Sequence, residues 1–196
     1  MEHGNADRII EADALIQQVM NNQSIVEQYQ QIKINPECKL RVTHHDTKIS
    51  NVLFDKDGKG LCVIDLDTVM PGYFISDVGD MMRTYLSPVS EEEADFSKIE
   101  IRADIFEAIV RGYYSEMKTD LTASEKELFF YAGKFMIYMQ AIRFLTDYLN
   151  DDVYYGARYQ KHNFIRASNQ LVLLEKLIAH ENELVPLINQ ILSTNE

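Results

Sequence analysis

Cysteines and long apolar runs are both scarce in this sequence. Two cysteines occur among the 196 residues, Cys38 and Cys62, and their spacing fits neither a metal site nor a redox pair. Cys62 lies inside an apolar run, and we expect it to be a small buried hydrophobic residue. No apolar stretch is long enough to span a bilayer and no signal peptide is recognisable, so the expected compartment is the cytoplasm.

Positive charge is also in short supply. The chain has 19 Lys and Arg against 31 Asp and Glu, a formal net charge of −12, and no basic cluster. Nucleic-acid binding and docking on an anionic membrane both require a basic surface, so we expect neither kind of partner. Hydrophobic residues make up 46% and charged residues 26% of the chain, values typical of a soluble globular protein with a core of useful size.

Helical periodicity dominates the first part of the chain. Apolar residues recur at helical spacing from Ala6 to Ile34, with a break at Asn21-Asn22. The pattern ends at Asn35-Pro36, because the residue before a proline disfavours the helical basin. Residues 1–39 are therefore predicted to form a helical N-terminal segment.

The remainder, residues 40–196, is predicted to form the main body. Ser90–Glu93 and Thr122–Glu125 both have the form of a capping box, and the second opens a segment to about Leu149 that is apolar on most faces. A helix that is apolar nearly all round is usually central in a core. Two further helices are predicted, at 163–180 and at 185–192.

Residues 51–66 interrupt the helical pattern. Two short β-rich runs, Val52–Phe54 and Leu61–Ile64, flank a polar turn that contains glycine. They predict one β-hairpin, so the expected fold class is mainly α with a small β-hairpin.

Candidate metal-ligating oxygens lie at the two ends of this hairpin. If the hairpin is symmetric about Gly58, Asn51 and Asp65 lie opposite each other, and Asp46 is a few residues upstream in the loop 43–51. Amide and carboxylate oxygens suit Mg²⁺, which takes a few protein oxygens together with substrate phosphates. The sequence therefore predicts a magnesium site beside a further carboxylate.

The order of these residues carries the functional interpretation. A His-x-Asp pair alone is common, but here His44 and Asp46 are followed by Asn51, the hairpin and Asp65. That order is typical of kinase-like phosphotransferases, in which the loop Asp accepts a proton from the attacking hydroxyl. The Asn and the later Asp hold the metal ions, and the amide does so without adding negative charge near the phosphates.

Residues 43–55 and 62–72 resemble the aminoglycoside phosphotransferase/choline kinase superfamily, most closely its N-acetylhexosamine 1-kinase branch, and 143–155 resembles a segment of that branch. The resemblance implies the helical C-lobe of a protein-kinase-like fold, with ATP held between that lobe and a β-rich N-lobe. It also implies an ATP- and Mg²⁺-dependent kinase that phosphorylates the anomeric hydroxyl of an N-acetylhexosamine.

The same resemblance assigns roles to individual residues around the loop. Asp46 would be the catalytic base, and Asn51 and Asp65 would be the Mg²⁺ ligands. His44 and Asp77 would support the catalytic loop.

Two more residues would contact the sugar acceptor. These are Arg143 and Tyr154, and each has an alternative. Arg143 is a cation in an otherwise apolar helix and could pair with Asp147 at helical spacing, whereas Tyr154 could simply pack. Asp67 lies beside the predicted metal site. It could support the metal ligands or have a purely structural role, and both alternatives are open.

A kinase of this type also needs a glycine-rich loop over the phosphates and a strand-borne lysine, and neither precedes Asp46. We therefore expect the N-lobe to be missing or supplied by a separate chain, and the chain alone to have little activity. The surface that would meet an N-lobe is expected to be an exposed apolar patch, prone to self-association. The alternatives are a kinase for choline, homoserine or an aminoglycoside, and a catalytically silent sugar-binding or regulatory module.

Overall fold

The N-terminal helical pattern folds as three short helices. The computed structural model describes residues 4–194, so the ends of the predicted segments at 1–3 and 195–196 lie outside the described residues. The predicted break at Asn21-Asn22 is present, and a further break occurs at Ala12. The three helices are α1 Ala6–Glu11, α2 Asp13–Asn21 and α3 Ser24–Ile34.

Further helices form the body within residues 4–194. They are α4 Ile75–Tyr85, α5 Ala103–Met117, α6 Ala123–Lys126, α7 Phe129–Leu149, α8 His162–Ala179 and α9 Glu181–Ser193. α7 is central, as its apolar surface predicts: it packs against α4 and α8 and is buried along most of its length. None of the helices described here has the length and apolarity that crossing a membrane requires.

Helices α4 and α7 cross at unusually close range. Gly79 of α4 and Gly133 of α7 lie at this crossing, and a Cβ atom at Gly79 would collide with the Ala132 carbonyl oxygen. The absence of side chains at both positions lets the two backbones approach each other. α4 carries acidic residues that hold the candidate site, so this contact anchors the site to the core.

The two predicted capping boxes have different outcomes. Thr122 and Glu125 do form a reciprocal capping box, but it opens only the short α6, and α7 begins separately at Phe129. Ser90–Glu93 opens no helix, since residues 87–102 contain turns and one short 3-10 turn. The prediction that a helix begins at Ser90–Glu93 is wrong.

Other partners of the glutamates in this segment explain that difference. Glu93, the residue that would complete a capping box with Ser90, accepts from the Asp95 N–H over 2.9 Å and pairs with Lys98 over 3.2 Å. Glu91 bonds Arg83 of α4 and Arg166 of α8. These carboxylates are therefore not available to cap a local helix.

Within the described part of the chain, four short strands form two antiparallel sheets. They are β1 Arg41–Thr43, β2 Val52–Phe54, β3 Gly60–Val63 and β4 Met70–Gly72. β2 and β3 form the predicted hairpin, and the rest of the fold is helical, so the mainly α class with a small hairpin is confirmed. β1 pairs with β4 in a second sheet that was not predicted, because no turn sequence joins these short strands.

The hairpin register differs by one residue from the symmetric prediction. Val52 pairs with Val63, so Asn51 lies opposite Ile64 and not opposite Asp65. The Ile64 N–H donates to the Asn51 carbonyl oxygen over 2.9 Å. The cause is the turn, which is centred on Asp57 and not on Gly58, because Phe54 pairs with Gly60 beside it. A β-bulge places one extra residue in β3 and so reduces the offset to a single residue.

The hairpin has both faces exposed. All four residues of β3 are exposed, although successive strand residues point to opposite faces. The prediction that Cys62 is buried is therefore wrong, since no described residue covers it from either side. The exposed apolar residues around the hairpin, which we call the hairpin-side apolar surface, are Leu40, Val42, Ile49, Leu53, Phe54, Leu61, Val63, Leu66, Val69 and Met70.

Candidate active site

The loop 43–51 is hydrogen-bonded to one carboxylate of α4. Asp77, in the first turn of that helix, accepts a hydrogen bond from the His44 N–H at 2.9 Å through one oxygen. Its other oxygen accepts from the His45 N–H at 2.8 Å. His45 has a φ of 66°, a left-handed conformation that a non-glycine residue rarely adopts, and the paired N–H groups hold it there.

A second carboxylate of α4 holds the far side of the loop. Asp80 is 2% exposed and accepts from the Thr47 N–H at 2.7 Å. The same carboxylate pairs with Arg83 over 2.8 Å. The Tyr85 hydroxyl donates to the Thr47 carbonyl oxygen, and burial raises the pKa of Tyr85 to about 12, so this hydroxyl stays a donor at neutral pH.

His44 connects the loop to the end of the hairpin. The Asp46 N–H donates to His44 Nδ1 over 3.3 Å, so Nδ1 is an acceptor and the proton of the neutral ring is on Nε2. His44 Nε2 lies 2.9 Å from the Ile64 carbonyl oxygen and donates to it. The Thr68 hydroxyl donates to the His44 carbonyl oxygen over 2.6 Å. One side chain thus ties the peptide of Asp46 to the residue before Asp65.

Asp46 is an ionised carboxylate with one oxygen engaged. Its Oδ2 accepts from Lys48 Nζ and from Asn51 Nδ2, each over 2.7 Å. Burial raises the pKa of Asp46, but the hydrogen bonds from Lys48 and Asn51 outweigh burial and hold that pKa below its usual value. Within residues 4–194, Oδ1 has no hydrogen-bond partner and can accept a proton from a ligand.

Asn51 lies opposite Ile64 in the hairpin, and Asp65 is the next residue along the chain. Both side chains carry oxygen atoms. Asn51 is 5% exposed and donates its amide nitrogen to both the carbonyl oxygen and the carboxylate of Asp46. Its Oδ1 is left as an acceptor. Asp65 is exposed and has a φ of 62°, so the chain turns sharply as it leaves β3.

These oxygens fit magnesium better than a metal that needs a complete protein cage. No group of three or more His, Cys, Asp or Glu side chains in the described part of the chain could hold a metal ion. An amide oxygen and an exposed carboxylate are two hard donors that leave most of a coordination sphere open. Mg²⁺ usually fills such a sphere with water and substrate phosphates.

A cavity of about 180 Å³, here called the base-side cavity, is lined by Lys48, the residue whose ammonium group pairs with Asp46. Its walls come from the loop 43–51, α4, the segment after α4, and α8, and they also include Arg83, Glu91, Asn169 and Gln170. The sequence analysis did not identify these wall residues. The signal was the run Ser168-Asn169-Gln170, three polar residues in succession that are all buried in an otherwise amphipathic helix.

Arg143 and Tyr154 share a different cavity, here called the Arg–Tyr cavity, of about 420 Å³. The Arg143 guanidinium lies 6.0 Å from the ring centroid of Tyr154 and 5.5 Å from that of Tyr155. Asp147 accepts from the backbone N–H groups of both tyrosines and from Asn163. The alternative ion pair between Arg143 and Asp147 is therefore wrong for the described structure.

Tyr154 does not pack as an interior residue either. Its exposed fraction is 76%, so a sugar contact and simple packing at the surface both remain predictions. The ring contacts Tyr155 edge-on with centroids 4.8 Å apart. This leaves its outer face accessible to a ligand.

The two cavities have no lining residue in common, but one chain of contacts connects them. Arg83 bonds Glu91 over 2.6 Å, and Glu91 bonds Arg166. The Arg166 guanidinium lies 5.3 Å from the ring centroid of Tyr155, which lines the Arg–Tyr cavity. The structure thus brings Asp46, Asn51, His44 and Asp77 together, with Asp65 one residue beyond Ile64, while Arg143 and Tyr154 form a separate group.

The sequence model of the phosphotransferase enzyme family (APH) matches residues 4–111, more than half of the chain. The matched range contains the loop 43–51, the hairpin and α4. It ends before Arg143 and Tyr154.

Proposed function

The chain belongs to the phosphotransferase enzyme family, and from that premise we propose that it is the helical C-lobe of a kinase-like enzyme. In this proposal it transfers the γ-phosphoryl group of ATP to a hydroxyl of a small molecule. The observation that carries the proposal is the carboxylate of Asp46, ionised and oriented by Lys48 and Asn51 on a loop that Asp77 holds.

Asp46 is the proposed general base. A base must lie within hydrogen-bond reach of the proton it accepts and must be unprotonated at the working pH. The lowered pKa of Asp46 meets the second condition, and the oxygen Oδ1 is open to a hydroxyl for the first. His44 is proposed to support the loop and not to transfer protons, because both of its ring nitrogens are engaged with backbone groups.

Asn51 and Asp65 are the proposed magnesium ligands. The Asn51 amide nitrogen is held by Asp46, which leaves Oδ1 as its donor atom for a metal. Asp65 adds one exposed carboxylate. When bound, Mg²⁺ would neutralise charge on the phosphates of the nucleotide.

The proposed acceptor is the anomeric hydroxyl of an N-acetylhexosamine, with Arg143 and Tyr154 as contacts. A guanidinium beside one exposed and one half-buried aromatic ring, those of Tyr154 and Tyr155, offers hydrogen-bond donors and flat apolar faces together, and a sugar ring has complementary hydroxyls and C–H faces. Arg143 also disfavours a polycationic acceptor, because like charges would repel.

The hairpin-side apolar surface is the proposed contact for a β-rich nucleotide-binding lobe. An isolated two-stranded hairpin is only marginally stable in water, and large exposed apolar patches usually mark contact surfaces. This hairpin has apolar residues exposed on both faces. The chain alone is therefore expected to transfer phosphate poorly until such a lobe is supplied.

The test is a transfer assay with ATP, Mg²⁺ and N-acetylglucosamine. The chain is assayed alone and together with any β-rich segment that the adjoining DNA encodes. We expect labelled phosphate on the sugar, and a fall of roughly a thousandfold in the rate with Asp46→Asn. Asp57→Asn, on the exposed turn of the hairpin, is the matched control and should leave the rate unchanged.

Assaying the enzyme with a panel of candidate acceptors identifies the molecule that receives the phosphoryl group. Transfer to choline, homoserine or an aminoglycoside in place of N-acetylglucosamine would replace the proposed substrate but keep the proposed chemistry. An Asp46→Asn variant as active as the parent would overturn the assignment of the base. Broadening by Mn²⁺ of the Asn51 and Asp65 resonances in NMR spectra, in the presence of ADP, tests the metal ligands independently of turnover.

A further inference from the structure

Three polar side chains on one face of α8 lack full hydrogen bonding. His162, Arg166 and Gln170 are four residues apart and so share a face of the helix. Among residues 4–194, His162 Nε2, Arg166 Nε and Gln170 Oε1 are buried atoms without a hydrogen-bond partner. Glu92 lies 3.6 Å from the first, and Glu91 pairs with another nitrogen of the second. For Gln170 Oε1 no hydrogen-bond partner is present among the described residues.

Gln170 lines the base-side cavity and is 1% exposed. Its Nε2 donates to Asn169 Oδ1 over 3.2 Å. Asn169 donates its own amide nitrogen to the carbonyl oxygens of Ser90 and Glu93, so its oxygen is the acceptor and the orientation of Gln170 follows. A buried amide oxygen without a partner lowers stability, and native proteins retain such an atom chiefly where a ligand, ion or water completes it.

The charged groups on the wall of the base-side cavity already have partners. Lys48 pairs with Asp46, and Arg83 pairs with Asp80 and Glu91. A charged ligand group would find no unpaired opposite charge there, and an unpaired buried charge is strongly unfavourable. A neutral group that offers an O–H or N–H donor fits this wall better.

We propose, on the basis of the phosphotransferase function proposed above, that the base-side cavity is a subsite for a neutral O–H or N–H group of the acceptor. Gln170 Oε1 accepts the hydrogen bond of that group and makes Gln170 a specificity-determining residue. Lys48 lies on the cavity wall and its Nζ is 2.7 Å from Asp46 Oδ2, so one side chain links the cavity to the proposed base.

This subsite favours a neutral sugar over a cationic acceptor of similar size. A site built to bond a substrate hydroxyl or N–H discriminates strongly against an analogue without it, because its own polar group is then left unpaired. The cavity of about 180 Å³ has room for one polar substituent or one small ring. The Glu91–Arg166 ion pair connects this wall to the proposed sugar contacts at Arg143 and Tyr154.

The experiment is a calorimetric titration of the 196-residue chain with N-acetylglucosamine, its monodeoxy analogues and cationic glucosamine. We expect Gln170→Met, which keeps the side-chain length, to weaken N-acetylglucosamine binding roughly tenfold, the effect of one neutral hydrogen bond. One analogue should lose the same factor with the parent chain and show no further loss with Gln170→Met. Gln17→Met, on the exposed side of α2, is the matched control and should bind like the parent.

Equal affinity of Gln170→Met and the parent for N-acetylglucosamine would overturn the subsite. So would the absence of sugar binding to the parent chain, or glucosamine binding more tightly than N-acetylglucosamine. If Gln170→Met does not fold, as thermal melting would reveal, NMR on the parent chain decides. A Gln170 side-chain amide resonance that does not shift at sugar saturation then overturns the proposal.

These outcomes are separable from those of the transfer assay. Phosphoryl transfer that continues with an unchanged KM in Gln170→Met removes the subsite and leaves the activity. Sugar binding that depends on Gln170, in an enzyme that transfers no phosphate, supports the subsite and removes the proposed activity.

Discussion

The loop 43–51, on which the proposed base lies, and the hairpin are neighbours in sequence, but they differ in how the rest of the protein contacts them. In the loop, the backbone N–H groups of His44, His45 and Thr47 all donate to carboxylates of α4. In the hairpin, every residue of β3 is exposed and the apolar side chains lie on the surface. The three N–H groups of the loop thus have their hydrogen-bond partners within the described structure. The hairpin, by contrast, has the apolar composition of a contact surface, but no described residues pack over its exposed side chains.

This difference separates two requirements of a phosphotransferase site. The proposed base must be oriented before substrates arrive, and the body of the protein provides that orientation through α4. The hairpin and Asp65, which are proposed to contact the nucleotide-binding lobe and the metal, are exposed to solvent. Their conformation should therefore become ordered only when a ligand or a second lobe binds. Regions with few buried contacts open at low free-energy cost, so the two regions should differ in every measurement of local stability.

The largest effect should come from removing the carboxylate that holds the loop. Asp77→Ala leaves two N–H groups without their charged acceptor, and we expect the free energy of unfolding to fall by about 3 kcal/mol. Amide hydrogen exchange at His44 and His45 should accelerate in the same variant. Denaturant unfolding and NMR exchange measure the two effects.

The control for this prediction is Asp104→Ala. Asp104 also lies in the first turn of a helix, α5, but it is exposed. Its removal costs only the interaction with the helix dipole, about 0.5 kcal/mol. Equal losses from Asp77→Ala and Asp104→Ala would mean that Asp77 contributes as a helix-terminal charge and not as the support of the loop.

The rates at which a thiol reagent labels the two cysteines compare the accessibility of the hairpin with that of the helical body. Cys62 is exposed on β3, whereas Cys38 is buried and burial raises the pKa of its thiol. A thiol reagent should label Cys62 at least roughly a hundredfold faster, the factor that corresponds to a local opening of about 3 kcal/mol at Cys38. Mass spectrometry of timed samples measures both rates.

The same labelling reports on a covering lobe. In denaturant both thiols should react at similar rates, which controls for intrinsic reactivity. Slow labelling of Cys62 in the native chain would show that the hairpin is already covered, for example by self-association at the hairpin-side apolar surface. Protection that appears only when a β-rich lobe is added would support the proposed contact.

Local sequence patterns predicted much of this arrangement. The spacing of His44, Asp46 and Asn51, and the turn between β2 and β3, involve residues close in the chain, so motif and geometry coincide. The capping box at Thr122 and Glu125 is local for the same reason. Hydrophobic periodicity likewise located α7, since a helix apolar on most faces has few places to lie other than the core.

Features that depend on distant residues could not be predicted in this way. Asp80 holds Thr47 and Tyr85 bonds its carbonyl oxygen, yet neither α4 residue has a local pattern that indicates such a partner. No helix begins at Ser90, because Glu93 bonds the Asp95 N–H and Lys98 while Glu91 bonds arginines of α4 and α8, and no local pattern reveals those distant arginines. The turn centre at Asp57 and the bulge in β3 together leave Asp65 one residue out of register with Asn51, and both are properties of the folded hairpin that its turn composition does not reveal.

A smaller effect is expected from removing the cation beside the proposed base. In Lys48→Met the pKa of Asp46 should rise, because burial remains while one of the two hydrogen bonds that lower it is lost. The lowered pKa of Asp46 stabilises the folded state above the unfolded-state pKa of about 3.9, and that stability is lost as the pH falls through the folded-state value. The parent should therefore exceed the variant in stability at neutral pH, by at most about 1 kcal/mol, and approach it in acid.

Carboxyl-carbon NMR titration of Asp46 and urea unfolding at several pH values measure this prediction. Lys56→Met, on the exposed turn of the hairpin, removes the same charge from the surface and is the control. An unchanged titration of Asp46 in Lys48→Met would mean that Asn51 alone holds the carboxylate in its ionised form.

The smallest effect on stability should come from the hairpin itself, through a matched pair of valines. Val63 of β3 is 50% exposed and Val78 of α4 is fully buried. Val63→Thr exchanges one exposed methyl group for a hydroxyl and should change the free energy of unfolding by less than about 0.5 kcal/mol. Val78→Thr buries the same hydroxyl and should cost about 1–3 kcal/mol.

The exposed variant should nevertheless change the behaviour of the surface. If the hairpin-side apolar surface drives self-association, Val63→Thr combined with Leu61→Thr should lower the association constant in analytical ultracentrifugation while the melting temperature stays nearly constant. A large loss of stability in the double variant would show instead that the hairpin is an integral part of the folded body. The contrast between a completed loop and an uncovered hairpin would then have to be abandoned, and with it the physical argument for a second lobe at that surface.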